Sequence, residues 1–195
     1  LLDQSKKMLE LAKTLDSDTL ILNANQYRGQ ALEFIGALDA ALKLYYENLA
    51  LAEKGNHCIY YMRSLNLIGR VYQTMGDFEQ SQSFMFRSKQ SAIDCSQFLD
   101  TILINYEIGF NLASMGDFDA GIRQIEHNVL AAKAANKLDD ILYGLDNLAN
   151  LYSENEEPEK ALYYGLELLK IPEAWEGDFE KAQLYEHLAE IYVKL

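Results

Sequence analysis

Leu65–Ala92 reads LNLIGRVYQTMGDFEQSQSFMFRSKQSA, and the fold is decided there. Apolar residues at helical spacing flank Met75-Gly76-Asp77, so the stretch predicts two helices joined by a tight turn. Its pattern recurs along the chain. Gly69 is preceded by Gly29 and followed by Gly109 at the same interval of 40 residues, and the next two steps land on Ala149 and Ala189. A small residue recurring in one register at this period predicts a stacked array of helical hairpins, since no hairpin buries both its faces alone.

Working outward, the turns follow the same period. Gly36, Gly76 and Gly116 share one column, where a helix ends on a residue of positive φ that glycine adopts without steric cost. Asp77 and Asp117 follow as expected N-caps of the second helices. In the fourth unit Glu156 occupies the glycine column, so Asn155 is expected to take the left-handed position, with Pro158 in the first helical turn. Within the helices, the column Gly29, Gly69, Gly109, Ala149, Ala189 is expected to face the column Ala41, Ser81, Gly121, Ala161. An interior glycine costs about 1 kcal/mol relative to alanine. Its repeated use therefore predicts close helix–helix approach, with Tyr45, Met85 and Ile125 among the large residues filling the gaps.

Ile68-Gly69 with Tyr72, Gly76-Asp77-Phe78, Ser81 and Met85 resembles the tetratricopeptide repeat. Ile108-Gly109, Leu112 and Gly116-Asp117-Phe118 repeat the likeness, and Leu148-Ala149, Tyr152 and Ala161 carry it more weakly. The period is 40 rather than 34, similar to a long-repeat subset found in bacterial signalling proteins. Arg28 departs from the aliphatic residue expected before Gly29. The resemblance implies an all-α, right-handed superhelical solenoid, with residues 1–195 as one array. A second-type helix at 1–15 comes first, capped into the next by the Asp16-Ser17-Asp18 cluster. Hairpins follow at 19–54, 58–94, 99–136 and 139–171, and a first-type helix at 179–194 ends the chain. Since natural solenoids finish on a polar capping face, Leu184, Leu188 and Tyr192 are expected to meet more protein. The chain thus reads as an excised segment able to self-associate through its ends.

Composition narrows function. The formal net charge of −13, with no dense Lys/Arg run, argues against a nucleic-acid surface in this segment. No apolar run is long enough to span a membrane. Only two cysteines occur, which points to a reducing compartment, the cytoplasm. An antiparallel hairpin brings Cys58 and Cys95 to its open end, within reach of each other, but free thiols are the expectation. His57, His127 and His187 occupy unrelated repeat positions and lack partners at ligand spacing, so neither a metal nor a cofactor is expected. No nucleophile–base set or phosphate loop emerges either, and the chain reads as non-enzymatic. The tyrosine pairs Tyr45-Tyr46, Tyr60-Tyr61 and Tyr163-Tyr164 read as half-buried packing.

The resemblance also implies a concave groove lined by the first helices, at matching columns. These give Asn23, Gln26, Tyr27 and Gln30; then Arg63, Asn66, Leu67 and Arg70; then Leu103, Tyr106, Glu107 and Phe110. Tyr143, Asp146, Asn147 and Asn150 follow, and Gln183, Glu186, His187 and Glu190 come last. Spacings of three, four and seven put each set on one helical stripe. Amides suit a peptide backbone and arginine suits a carboxylate. The partner expected is a protein or peptide, as in the sensory segment of a larger bacterial signalling protein. The alternative is a peptide-pheromone-binding quorum-sensing regulator.

Overall fold

The computed structural model describes residues 2–97, 100–171, 188–189 and 191–193. Its helices are α1 (Leu2–Thr14), α2 (Asp18–Phe34), α3 (Leu38–Lys54), α4 (Cys58–Thr74), α5 (Phe78–Asp94), α6 (Asp100–Ser114), α7 (Phe118–Ala134), α8 (Leu138–Glu154) and α9 (Pro158–Leu169). No strand occurs among the described residues. Residues 188–189 and 191–193 are helical too; the rest of the helix expected at 179–194 lies outside the described residues, as do Leu184, Gln183, Glu186, His187 and Glu190. The chain forms two compact units, Leu1–Ile104 and Asn105–Leu195.

Backbone hydrogen bonds explain where each helix stops. Gly36, Gly76 and Gly116 have φ of +75°, +79° and +96°. At the second of these, Gly76 N–H donates to the Gln73 carbonyl and Asp77 N–H to the Tyr72 carbonyl, both at 2.9 Å. Such bonds satisfy carbonyls that a helix end would otherwise leave orphaned. Asp77 and Asp117 then accept from the N–H groups of Gln80 and Ala120 at 3.1 Å. Ser17 stands at the N-cap of α2 but makes no capping bond; its hydroxyl lies 3.2 Å from that of Thr19.

The fourth hairpin corrects the expectation for its turn. Glu156, not Asn155, is left-handed, with φ of 57°. Asn155 N–H still reaches the Leu151 carbonyl, and Glu157 N–H closes on the Tyr152 carbonyl at 2.9 Å, which places the left-handed step at residue 156. Asn155 instead donates its side-chain amide to Glu157 at 2.8 Å. The returns between hairpins use non-glycine residues in the same conformation: Asp16, Asn56, Ser96 and Asn136. This is why α7 ends at Ala134 rather than at Asn136, which is the left-handed residue beyond it.

Inside the hairpins, small residues sit beneath large ones. A Cβ added to Gly29 would run into the Tyr45 ring, one on Gly69 would meet the end of Met85 at 3.0 Å, and one on Gly109 the Ile125 side chain at 2.7 Å. Tyr45, Met85 and Ile125 are fully buried. Gly121 also comes against the Gly109 carbonyl, as the facing columns predict. In the first unit Leu65, Ile68, Val71 and Phe84 join Tyr45 and Ala41 in one core. In the second, Ile122, Ile125, Leu145, Leu148 and Ala161 are buried. Burying each large apolar side chain contributes about 1.5–3 kcal/mol. Leu188, expected at an exposed end, is buried within its own unit and packs on Gly165, whereas Tyr192 is exposed.

The cysteines depart from expectation. Cys58, at the start of α4, is disulfide-bonded to Cys95, the C-cap of α5, with Cα atoms 5.9 Å apart. The hairpin register brings the two backbones to bonding distance. Their pairing removes the ground on which a reducing compartment was read from the cysteine count.

The glycine contacts separate two substitutions that sequence alone treats alike. Gly121→Ala pushes a methyl onto backbone atoms of Gly109 and Ala113, which cannot yield. It is expected to lower stability by about 1–3 kcal/mol. Gly69→Ala meets only the flexible end of Met85 and the Phe84 Cβ, while gaining about 1 kcal/mol of helix propensity. It should leave stability within about 1 kcal/mol of the parent. Urea unfolding midpoints of the two variants check the contrast.

Candidate functional site

In the first unit, the stripe on α2 comprises Asn23, Gln26, Tyr27 and Gln30. Tyr27 and Gln30 are exposed and Gln26 is half-buried. Asn23 is held by its amide donating to the Tyr60 hydroxyl at 3.0 Å. Tyr27 and Gln30 border a cleft of about 410 Å³ between α1 and α2, with Met8, Ala31 and Phe34 as its apolar wall.

The stripe on α4 separates by depth. Arg63 and Arg70 are exposed, Asn66 is half-buried with its amide 3.4 Å from the Met85 sulfur, and Leu67 is core. Neither arginine has a carboxylate within 4.0 Å among the described residues. Arg63 and Asn66 also border a smaller cleft of about 140 Å³, completed by Met62 and, from α6, Leu103 and Ile104. One cation, Arg63, and the Asn66 amide thus stand beside an apolar notch, with Arg70 farther along the same stripe. A carboxylate carried on an apolar chain complements that arrangement.

In the second unit, two residues expected in the groove prove to be interior. Tyr106 is 1% exposed and Glu107 is 8% exposed. The reason lies on α8. Gly144 has no side chain, and a Cβ there would come within 2.5 Å of the Tyr106 hydroxyl, so the ring occupies that space. Tyr106 meets Tyr143 edge-on at 5.6 Å, and Tyr143 donates its hydroxyl to Glu107 at 3.2 Å. Glu107 is therefore engaged by a tyrosine of its own unit. Phe110 is half-buried, and Asp146 is exposed. Asn147 donates to the Tyr143 carbonyl at 2.7 Å and Asn150 to the Asp146 carboxylate at 3.3 Å. Those amides are occupied along their own helix.

Sequence reasoning missed the side-chain clusters flanking the hairpins. In the first unit Tyr72 stacks on Phe84 at 5.6 Å, the Tyr46 and Tyr72 hydroxyls lie 3.2 Å apart, and Arg87 sits over Phe84. In the second, Tyr152 stacks on Tyr164 at 5.5 Å, and both donate to one Glu126 oxygen, at 3.1 and 2.7 Å. The signal was present. Tyr46, Tyr72 and Phe84 stand 80 residues before Glu126, Tyr152 and Tyr164, a doubled repeat. Glu126, Leu130, Lys133, Tyr163, Tyr164 and Glu167 border a cleft of about 290 Å³ on this side. Among the described residues, no group of three His, Cys, Asp or Glu side chains is placed to hold a metal.

These clusters hold tyrosine protons. Burial pushes Tyr46 up to about 12, aided by its hydrogen bond with Tyr72. Burial and then the Glu126 charge push Tyr152 to about 12 as well. The folded values exceed the usual value of about 10 in an unfolded chain. Below that lower value the stabilisation is complete; it is lost as pH rises from about 10 to about 12. Glu126→Gln removes the charge and should move part of the tyrosinate absorbance to lower pH. An unchanged titration would show that Glu126 does not hold the proton on Tyr152.

No protein-family model matches the chain. No curated protein matches either. Solved structures do. BtubC (BKLC) from P. vanneervenii is similar with a TM-score of 0.83 at 12% identity, over 99% of this chain and 82% of that one. The Rap conjugation gene regulator of the plasmid pLS20, in complex with the Phr* peptide, gives 0.73 at 17%, over 89% of this chain and 48% of its own. The TPR-like repeats of a putative kinesin light chain from Podosopora anserina give 0.66 at 16%, over 87% and 84%. The chain spans about half the length of the Rap regulator. Repeating helical hairpins, the turn columns and these likenesses agree: the chain has the fold of the tetratricopeptide-like repeat proteins.

Proposed function

We propose that the chain is a non-enzymatic scaffold that binds a protein or an extended peptide, as the cytoplasmic sensory or interaction segment of a larger bacterial signal-transduction protein. One observation carries the reading: Arg63 and Arg70 stand exposed on α4, seven residues apart and without an ion pair among the described residues. In a chain of net charge −13, the two share one helical stripe. They suit an acidic side chain or a C-terminal carboxylate of a peptide, with Asn66 meeting its backbone and the notch at Met62, Leu103 and Ile104 taking an apolar side chain. Tyr27 and Gln30 extend the polar and aromatic surface on α2. In the second unit Phe110, Tyr143, Asp146, Asn147 and Asn150 would contribute contacts, with Tyr106 acting from beneath as support for Tyr143.

A second reading, a quorum-sensing regulator that binds a peptide pheromone, is favoured by the likeness in fold to the Rap regulator solved with the Phr* peptide. The two readings differ in how narrow the ligand preference is. A library of random peptides with free C-termini, selected on the protein, measures it: tolerance supports the scaffold, and one dominant short sequence supports the receptor. For the peptides selected, Arg63→Ala combined with Arg70→Ala is expected to weaken binding at least tenfold, the factor corresponding to about 1.4 kcal/mol, while the melting temperature stays unchanged. Lost stability with intact binding would assign both arginines to the fold instead.

A further inference from the structure

Two cysteines occur in the chain, and the structure joins them at the mouth of one hairpin. Cys58 opens α4 and is exposed; Cys95 ends α5 and is half-buried, its sulfur 3.8 Å from the Ser91 hydroxyl. The bond is anchored on the helix that supplies one wall of the notch described above: Met62 and Arg63 belong to the turn of α4 that follows Cys58. Ser96 takes a left-handed φ of 58°, a conformation that residues with a Cβ rarely adopt. Two other returns between hairpins use asparagine there, which tolerates that conformation better. The corner is thus strained at its turn and tied by a covalent bond. The mouth of the preceding hairpin has only a non-covalent counterpart. Asp18, forty residues before Cys58 in the same column, faces His57 at 3.7 Å.

We propose that the Cys58–Cys95 bond is a redox-operated strap on the α4 wall of the notch, and that its reduction by a dithiol loosens that wall and weakens peptide binding. The consequence for binding rests on the groove reading of Arg63 and Asn66; the loosening does not. The chemistry is thiol–disulfide exchange. Cys58 lies at the positive end of the α4 dipole and is the better leaving thiolate, while Cys95 lies at the negative end of α5. One thiolate of the reductant therefore attacks the Cys95 sulfur, the S–S electron pair passes to Cys58, and Cys58 takes up a proton. The second thiolate of the reductant then closes on its own sulfur. This releases Cys95, which is protonated in turn, and leaves the reductant as a cyclic disulfide. The protein gains two electrons and two protons, and the dithiol loses them. A bond exposed at one sulfur suits a labile, regulatory role rather than that of a permanent brace.

The test compares the chain equilibrated with oxidised glutathione and with dithiothreitol, using Cys58→Ser as the form that cannot close. Thiol titration should find no reactive thiol in the first state and two in the second. Backbone hydrogen exchange is then expected to rise at least tenfold on reduction at 58–66, and to stay unchanged at 19–50. Cys58→Ser should show the fast pattern in both media. Two free thiols after oxidation, exchange unchanged on reduction, or exchange raised equally throughout the unit would each overturn the strap. For a peptide selected on the oxidised protein, affinity should fall at least tenfold on reduction and be redox-insensitive in Cys58→Ser. Equal affinity in both states overturns the regulatory claim. Binding that survives Arg63→Ala with Arg70→Ala while still responding to reduction places the failure in the groove reading and leaves the strap standing.

Discussion

The structure depends on glycine giving up its side chain beneath a large neighbour. Tyr45 can be fully buried only because Gly29 leaves room for its ring, and Ile125 only because Gly109 does the same. The two helices of a hairpin then approach until backbone meets side chain, and the hairpin presents both outer faces to its neighbours. Everything else follows from that approach. The 40-residue period, the left-handed turns and the carboxylate caps serve to return the chain to the same spacing. The arrangement tolerates exchange of the large partner among tyrosine, methionine and isoleucine, since volume rather than chemistry is what the glycine accommodates.

Periodicity made the fold legible, because it multiplies weak signals. One glycine before one tyrosine says little, whereas Gly29, Gly69 and Gly109, each sixteen residues before a large buried side chain, define a hairpin. Depth was less legible. The groove columns were assigned by position alone, yet Leu67, Tyr106 and Glu107 lie in the interior while Arg63 and Arg70 face solvent. Gly144, a helix glycine outside both small-residue columns, marked the place where Tyr106 turns inward. Asn155 was expected to take the left-handed step because asparagine favours it, but the hydrogen-bond ladder of α8 ends one residue later. Local preference yielded to the geometry of the turn. The cysteine pair escaped for another reason. Spacing puts the two within reach of each other, whereas the rule that a lone pair of cysteines stays free rests on compartment and not on geometry.

The two flanking clusters show how one scaffold carries different chemistry at equivalent positions. In the first unit a neutral pair of phenols meets over Phe84; in the second, Glu126 takes the place of Tyr46 and gathers two hydroxyls. Both versions keep two rings stacked and set a hydrogen-bonding oxygen within reach of the Tyr72 or Tyr152 hydroxyl. The second holds a partly buried charge and raises the cost of ionising its tyrosines.

The link between Cys58 and Cys95 also has a mechanical side. An array of hairpins pulled from its ends lengthens by peeling helices one after another, each residue adding about 3.3–3.6 Å of contour. A covalent tie between residues 37 apart short-circuits that path. About 120–130 Å of chain, the whole of the second hairpin, is withheld from extension while the bond is closed. Tension then passes across a single bond at the hairpin mouth and does not unravel α4 and α5. The oxidised chain is a shorter and stiffer spring than the reduced one, with the difference set by two atoms.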